Sequence, residues 1–366
     1  MDRGPFTVGV EEEFLVVDAS GALRPDGPAL LPEARARLGD DVHPELHRSQ
    51  LEINTPVASG LAEVRRSVTE LRRTLAAVVA ERGCRLAASG THPFSAWTED
   101  PEVHPEYEVV EREYQQLARE QIICGVHVHV GIDDPDAAVA VLNRVTPWLS
   151  PIVALAANSP FWGGRDTGYA SYRTELWRRW PMAGTPGPFA DRGEYEALVD
   201  TLFRTGSIDD HARLYWDVRP SAKFPTVEFR VADVGLTVDD TVMVAGLVRG
   251  LAATAAAAAG NGSGATVRPE LIRAATWRAA RYGVGGELID VEAAESGPAR
   301  EIVHRFLDRI RPALMDLGDW DEVAELVARV LEDGTGADRQ RRVMAEAGTT
   351  SAVLDFIVGE TSPAAC

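Results

Sequence analysis

Five short stretches of this chain alternate apolar and polar residues, and their polar positions are dominated by acids, imidazoles and guanidiniums. In the first, Val8, Val10, Phe14 and Val16 share one face while Glu11 and Glu13 share the other. Glu12 interrupts the apolar face and is read as exposed there. In the second, Leu51 and Ile53 oppose Gln50, Glu52 and Asn54. In the third, Val126, Val128 and Val130 oppose His127 and His129. Leu214, Trp216 and Val218 oppose Tyr215, Asp217 and Arg219 in the fourth, and Val227, Phe229 and Val231 oppose Thr226, Glu228 and Arg230 in the fifth. A period of two is the pattern of a half-buried strand. One polar face is ordinary for an antiparallel sheet. A plain solvated face, however, is usually rich in Lys, Ser and Thr, and none of these five stretches contains a lysine. The composition suits a sheet whose polar face lines a pocket for metal and phosphate.

Elsewhere the helical period dominates. It predicts helices at 61–81, 105–121, 135–145, 147–157, 193–204, 239–258, 320–332 and 337–347. Further helical faces are Leu271, Ala274, Ala275 and Arg278, and Ile302, Phe306, Ile310 and Leu314. The fold class is therefore α+β. With 366 residues, of which 45% are hydrophobic, the chain can bury a sizeable core. The expected organisation is one catalytic domain over 1–366, with a mostly helical C-terminal portion from about 265. Gly260-Asn-Gly-Ser-Gly264 ends the alanine-rich helix before it and is the candidate linker. The most apolar stretch, Val242 to Ala259, is broken by Arg249 and reads as a buried helix rather than a membrane span.

A net charge of −19 repels nucleic acid and anionic lipid, so neither is an expected partner. Cys84, Cys124 and Cys366 are scattered, which excludes a disulfide framework and fits a reducing cytosol. No basic segment followed by an apolar run marks a signal peptide near residue 1. The expected localisation is cytoplasmic. GxxxxGK[ST], HExxH and GxSxG are all missing, which removes P-loop, helical zinc-hydrolase and serine-hydrolase readings.

The candidate chemistry lies on the polar faces. Two carboxylates at i and i+2 on a strand repel unless a cation sits between them, so Glu11 and Glu13 read as metal ligands with Glu52 and Glu228. His127-Val-His129 can bind zinc, iron or manganese, lend one imidazole to a magnesium or nucleotide site, or simply hydrogen-bond within the sheet. Guanidiniums clamp carboxylates and phosphates. Arg219 and Arg230 lie on the polar face, and the stretch from Arg165 through Arg173 to Pro181 reads as an ordered loop over the pocket.

Eight ordered blocks then match a known family. They are Gly9-Val-Glu-Glu-Glu-Phe14, Leu51-Glu-Ile-Asn-Thr-Pro56, Cys124-Gly-Val-His-Val-His-Val-Gly131, Ala157-Asn-Ser-Pro-Phe-Trp162, Gly168-Tyr-Ala-Ser-Tyr-Arg173, Trp216-Asp-Val-Arg-Pro220, Pro225-Thr-Val-Glu-Phe-Arg-Val-Ala-Asp233 and Trp277-Arg-Ala-Ala-Arg-Tyr-Gly283. Together they resemble the YbdK-type carboxylate–amine ligases, the second family of glutamate–cysteine ligases. The resemblance implies a glutamine-synthetase-like fold, a curved antiparallel sheet forming a funnel and backed by helices. It implies ATP and Mg²⁺ as cofactors. It places Glu11, Glu13, Glu52, His127 and Glu228 on metal-binding positions and Arg230, with Glu228, in the catalytic role. Arg173, Arg219, His129 and Glu45 become substrate-binding candidates, with Arg173 on the donor's carboxylate.

The implied reaction joins a carboxylate to an amine through an acyl phosphate. L-glutamate and L-cysteine are the expected substrates, a weak glutamate–cysteine ligase activity the expected readout, and a homodimer the expected assembly. The alternative from the residues alone is a Zn- or Mn-dependent metallohydrolase using the HxH and the carboxylates. ATP dependence separates the two.

Overall fold

The computed structural model describes residues 5–95, 102–259 and 267–362. Its strands are β1 (Val8–Val17), β2 (Val42–Pro44), β3 (Gln50–Asn54), β4 (Arg85–Ala87), β5 (Gly125–Gly131), β6 (Phe161–Trp162), β7 (Arg165–Asp166), β8 (Val218–Pro220), β9 (Thr226–Asp233), β10 (Glu287–Asp290) and β11 (Glu295–Pro298). One sheet runs in the order β2-β3-β1-β5-β9-β8, with β4 also on β1. All its pairings are antiparallel. β6/β7 and β10/β11 form separate hairpins.

The valines that alternate along β1, β5 and β9 all turn to one side of this sheet. Val8, Val10, Val126, Val128, Val130, Val227 and Phe229 enter the largest core cluster. Opposite them lies the helix Val238–Ala258, started by a capping box in which Thr237 and Asp240 bond each other's backbone N–H. This helix contacts β1 and β5 on one side and the helices Leu61–Glu81, Ala299–Leu317 and Trp320–Asp333 on the other. Its mean hydropathy reaches 1.6, and 78% of that window is buried within the fold. The apolar stretch Pro135–Leu155 is buried to the same 78%. In both, the apolar surface faces protein.

Most expected helices form. Leu61–Glu81 and Pro135–Val145 have the bounds the periodicity predicts. The expected helix at 105–121 is instead three short pieces, the 3₁₀ turn Pro105–Tyr107 and the helices Glu108–Tyr114 and Gln116–Arg119, the last two separated by Gln115 at φ +50°. The helix expected at 147–157 becomes Leu149–Leu155, preceded by a 3₁₀ turn at Thr146–Trp148. Helix Pro269–Tyr282 buries Ile272, Ala275, Thr276, Ala279 and Ala280, a face rotated from the predicted one. Ile302, Phe306, Ile310 and Leu314 are buried as expected.

Two helices were not anticipated. Gly27–Leu38 carries Pro28 at its start and Pro32 inside, and Thr350–Thr361 has buried residues but weak periodicity. The loop expected between Arg165 and Pro181 contains β7 and the helix Tyr172–Trp177. Of the stretch 214–219, only Val218 and Arg219 lie in strand β8, since the chain before them turns through His211–Arg213. The linker at 260–264 and Cys366 lie outside the described residues.

Glu12 also departs from expectation. It is 1% exposed, and its carboxylate takes the guanidinium of the equally buried Arg72, with Nε at 2.9 Å and Nη2 at 2.5 Å. Thr241 donates to the same carboxylate. A buried charge needs a partner and satisfied hydrogen bonds, and Arg72 reaches it from the helix Leu61–Glu81. Arg72 also bonds the carbonyls of Gly235, Leu236 and Thr361. The acid on the apolar side of β1 is thus a bolt that keeps its two neighbours on the other face.

Candidate active site

Register decides what meets on the polar face. Glu13 lies opposite Glu52, which lies opposite His43. Glu11 lies opposite His127, and His129 opposite Glu228, which lies opposite Arg219. Residues directly paired across strands share a face and sit side by side, so acids and imidazoles far apart in sequence form one patch.

The contacts are close. His127 Nδ1 is 3.2 Å from Glu11 Oε2, and its Nε2 is 3.5 Å from Glu13 Oε1. His129 Nε2 is 3.2 Å from the other Glu11 oxygen, while its Nδ1 is 3.0 Å from Thr226 Oγ1. Glu13 accepts from the backbone N–H of Gly125 at 2.6 Å. Glu228 is buried and holds two guanidiniums: Arg219 Nε at 2.8 Å, and Arg230. Arg219 also donates to the carbonyls of Ala212 and Leu214 at 2.8 and 2.7 Å. It therefore braces the hairpin as much as it faces the patch.

Three groups of ligand atoms lie within 4.8 Å of one another: Glu11–His129–Glu228, Glu11–Glu52–His127 and Glu13–Glu45–Glu52. Glu11 and Glu52 each belong to two of them. Every metal candidate read from the sequence falls in this constellation, and so do His129 and Glu45. Each triad has at most one imidazole and otherwise carboxylate oxygen, the donor set of a hard divalent cation rather than zinc.

The electrostatics fit a cation. Burial, then the charge of Glu13, raises Glu45 to about 8. Burial, then the charges of Glu11, Glu45 and Glu13, lifts Glu52 well above the carboxylate range. Burial also works against the charge on Glu11, yet hydrogen bonds with His127 and His129 hold it well below its usual value. Glu228 is likewise held down by Arg230 and Arg219 against its burial. Burial and then the charge of Arg230 lower His127, whereas Glu11 and Glu228 outweigh burial and raise His129.

Glu45 carries a proton near pH 7 that it would lose on unfolding, so its contribution to stability is full below about pH 4.5 and is lost as pH rises through about 8; Glu52 is shifted in the same direction. A bound cation displaces such protons. Mg²⁺ or Mn²⁺ binding at about pH 7 is therefore expected to release protons, seen as a buffer-dependent heat in titration calorimetry. The gain in melting temperature on adding the cation is expected to be larger at about pH 8 than at about pH 5. Equal gains at both, with no proton release, would place the cation elsewhere.

A cavity of about 510 Å³ opens over one end of the patch, lined by Glu11, Glu13, Glu45, Glu52, His127, Arg173, Arg219 and Arg230. Arg173 is 2% exposed and lies against β5, where a Cβ on Gly125 would overlap its guanidinium. The Arg173 backbone N–H donates to Ser159 Oγ at 3.0 Å, and Ser159 and Ser171 both donate to buried Asp233 at 2.7 Å. Arg173 Nε has no partner among the described residues.

Of the rest of the wall, the sequence places only Tyr215 on the polar side. Tyr107, Gln121, Trp177, Trp180 and Tyr215 line the cavity. Trp180 and Tyr215 meet edge to face at 5.0 Å. Gln121 is buried with both amide atoms unpartnered among the described residues. Trp180 lies at the end of the arginine-rich stretch, and the clustering of Trp177 and Trp180 with Tyr215 emerges only in the fold. Asp233 ended a recognised block, with nothing to mark it as the anchor behind Arg173.

A family model described as glutamate–cysteine ligase family 2 matches residues 7–355. A protein of Frankia alni named "Putative glutamate--cysteine ligase 2-2" is 45% identical over 380 residues, covering 98% of this chain and 98% of its own. One of Rhodopirellula baltica named "Putative glutamate--cysteine ligase 2" is 40% identical over 367 residues, again covering 98% of each. Among solved structures, glutamate–cysteine ligase from Francisella tularensis in complex with AMP superposes with a TM-score of 0.71 at 14% identity, over 98% of this chain and 89% of that one. A bifunctional glutathione synthetase from Pasteurella multocida gives 0.70 at 16%, over 98% and 51%. At those identities the likeness speaks for the fold, the glutamine-synthetase-like arrangement of antiparallel sheet and helices.

Proposed function

The chain belongs to glutamate–cysteine ligase family 2, and from that premise we propose that it is an ATP- and Mg²⁺-dependent carboxylate–amine ligase joining glutamate to cysteine. The observation that carries this reading is the set of three ligand triads linked through Glu11 and Glu52 and flanked by Arg230. Several linked oxygen-rich sites suit a triphosphate held by more than one cation.

In the proposed reaction a carboxylate oxygen of the acid bonds to the γ-phosphorus of ATP, and ADP departs. The amine nitrogen, having lost a proton from its ammonium form, then bonds to the acyl carbon, and phosphate leaves. Mg²⁺ when bound neutralises charge on the phosphates and on the group in transfer. Glu11, Glu13, Glu45, Glu52, His127 and Glu228 would hold it. Burial works against the charge on Arg230, but Glu228 outweighs that and keeps the guanidinium charged, aimed at the phosphoryl group as charge develops. Arg173, its backbone held by Ser159 and its side chain lining the cavity, would meet the acid's carboxylate. Thr226 fixes His129 through Nδ1 and leaves Nε2 toward Glu11.

The test is phosphate release from ATP with Mg²⁺ across amino acids offered singly and in pairs, with products identified by mass. Release that needs glutamate and cysteine together, with γ-glutamylcysteine formed, is the expected result. Release with another pair would keep the ligase and replace its substrates. No nucleotide turnover with any pair, alongside tightly held zinc or manganese, would sink the reading.

A further inference from the structure

Lys223 is the only lysine in a chain with 37 Lys and Arg residues. It sits at the tip of the β8–β9 hairpin beside Phe224, which is 59% exposed. The tip is built rather than loose. Ser221 Oγ accepts from the N–H groups of Lys223 and Phe224 at 3.3 Å each, and the Thr226 N–H donates to the Phe224 carbonyl at 2.7 Å. Lys223 makes no ion pair among the described residues, and Phe224 joins none of the hydrophobic clusters there.

Their position is specific. Arg230, Glu228 and Thr226 succeed one another on the polar face of β9, and Phe224 continues the series past the strand end. The Phe224 ring meets His129 edge to face at 6.3 Å, and His129 shares a triad with Glu11 and Glu228. Glu228 stands two residues inside β9 and Phe224 two residues before its start, so the ring lies just past the strand end on the side of the His129-containing triad. Arg219, the nearest arginine on β8, already has all its guanidinium nitrogens bonded.

We infer that this hairpin tip is the outer nucleotide subsite, with Phe224 packed on the purine ring and the Lys223 ammonium on a phosphate oxygen. The inference rests on the ATP dependence proposed above. An aromatic face accepts any base by stacking, and a lysine meets phosphate as a compact point charge on a flexible stem. A net charge of −19 makes a free nucleotide, not a polynucleotide, the fitting occupant.

Three measurements on the full chain test it. An amine-reactive label, mapped by peptide mass to separate Lys223 from the terminal amine, should modify Lys223, and Mg-ATP should slow that modification about tenfold or more while glutamate and cysteine do not. Phe224→Ala should weaken ATP binding about tenfold by calorimetry and leave inorganic tripolyphosphate binding unchanged, whereas Lys223→Gln should weaken both. Neither substitution touches the core, and the KM values of the acid and the amine should not move. ATP affinity unchanged in both variants, with labelling indifferent to Mg-ATP, would overturn the subsite and leave the ligase reading standing. A wild-type chain that binds no nucleotide would overturn both.

Discussion

Glu11→Gln is expected to lower turnover on the order of 10³-fold even at saturating Mg²⁺, about 4 kcal/mol of transition-state stabilisation. Glu11 is the carboxylate shared by two ligand triads, so removing its charge weakens two sites at once. It also carries the contacts to His127 and His129, which a neutral amide would hold less well. The same change relieves repulsion on its neighbour Glu52. The metal-free variant is therefore expected to melt no lower than the parent, which separates loss of function from loss of fold. A Mg²⁺ titration of rate and melting temperature side by side reads both. Turnover within about tenfold of the parent at high Mg²⁺ would mean that the cations of the reaction are held elsewhere.

Arg230→Ala is expected to fall mainly in kcat, again on the order of 10³-fold, with modest changes in KM. Arg230 pairs with Glu228 and lies over the Trp177 ring at 5.4 Å, so it is held in place before substrate arrives. Glu228 keeps Arg219 at 2.8 Å after the substitution and is not left as an unpaired buried charge. Arg230→Lys should recover part of the rate, because a point charge remains while the planar fork is lost. Steady-state kinetics with either nucleotide or acid varied would show it. A rise in KM at constant kcat would assign Arg230 to ground-state binding instead.

The sheet was legible because period two leaves little freedom. Once Val126, Val128 and Val130 point to the core, His127 and His129 must point away, and the same logic carries Glu11, Glu13, Glu228 and Arg230 to one face. What alternation does not contain is the partner of each residue. Glu12 looked exposed because nothing in β1 announces that Arg72 arrives from the helix Leu61–Glu81. Glu45 follows the last residue of β2, so no strand pattern covered it and only family resemblance suggested it. The helix Gly27–Leu38 was hidden by Pro32, which ordinarily argues against a helix interior. Gln121 lies between elements and Trp177 ends a helix of 6 residues, too short for periodicity to count.

The Glu12–Arg72 pair bears on the order of assembly. Arg72 reaches across 289 positions of chain to the Thr361 carbonyl at 3.5 Å, and the Thr361 hydroxyl in turn accepts from the Ala88 N–H at 2.8 Å over 273. Contacts at such separations form slowly, since long loops must close before they gain anything. The brace behind Glu11 and Glu13 cannot be completed on a nascent chain until the helix Thr350–Thr361 has been synthesised. An emerging polypeptide thus carries its acids out of the ribosome well before it can set them in register, and the acidic patch is assembled late in its biogenesis.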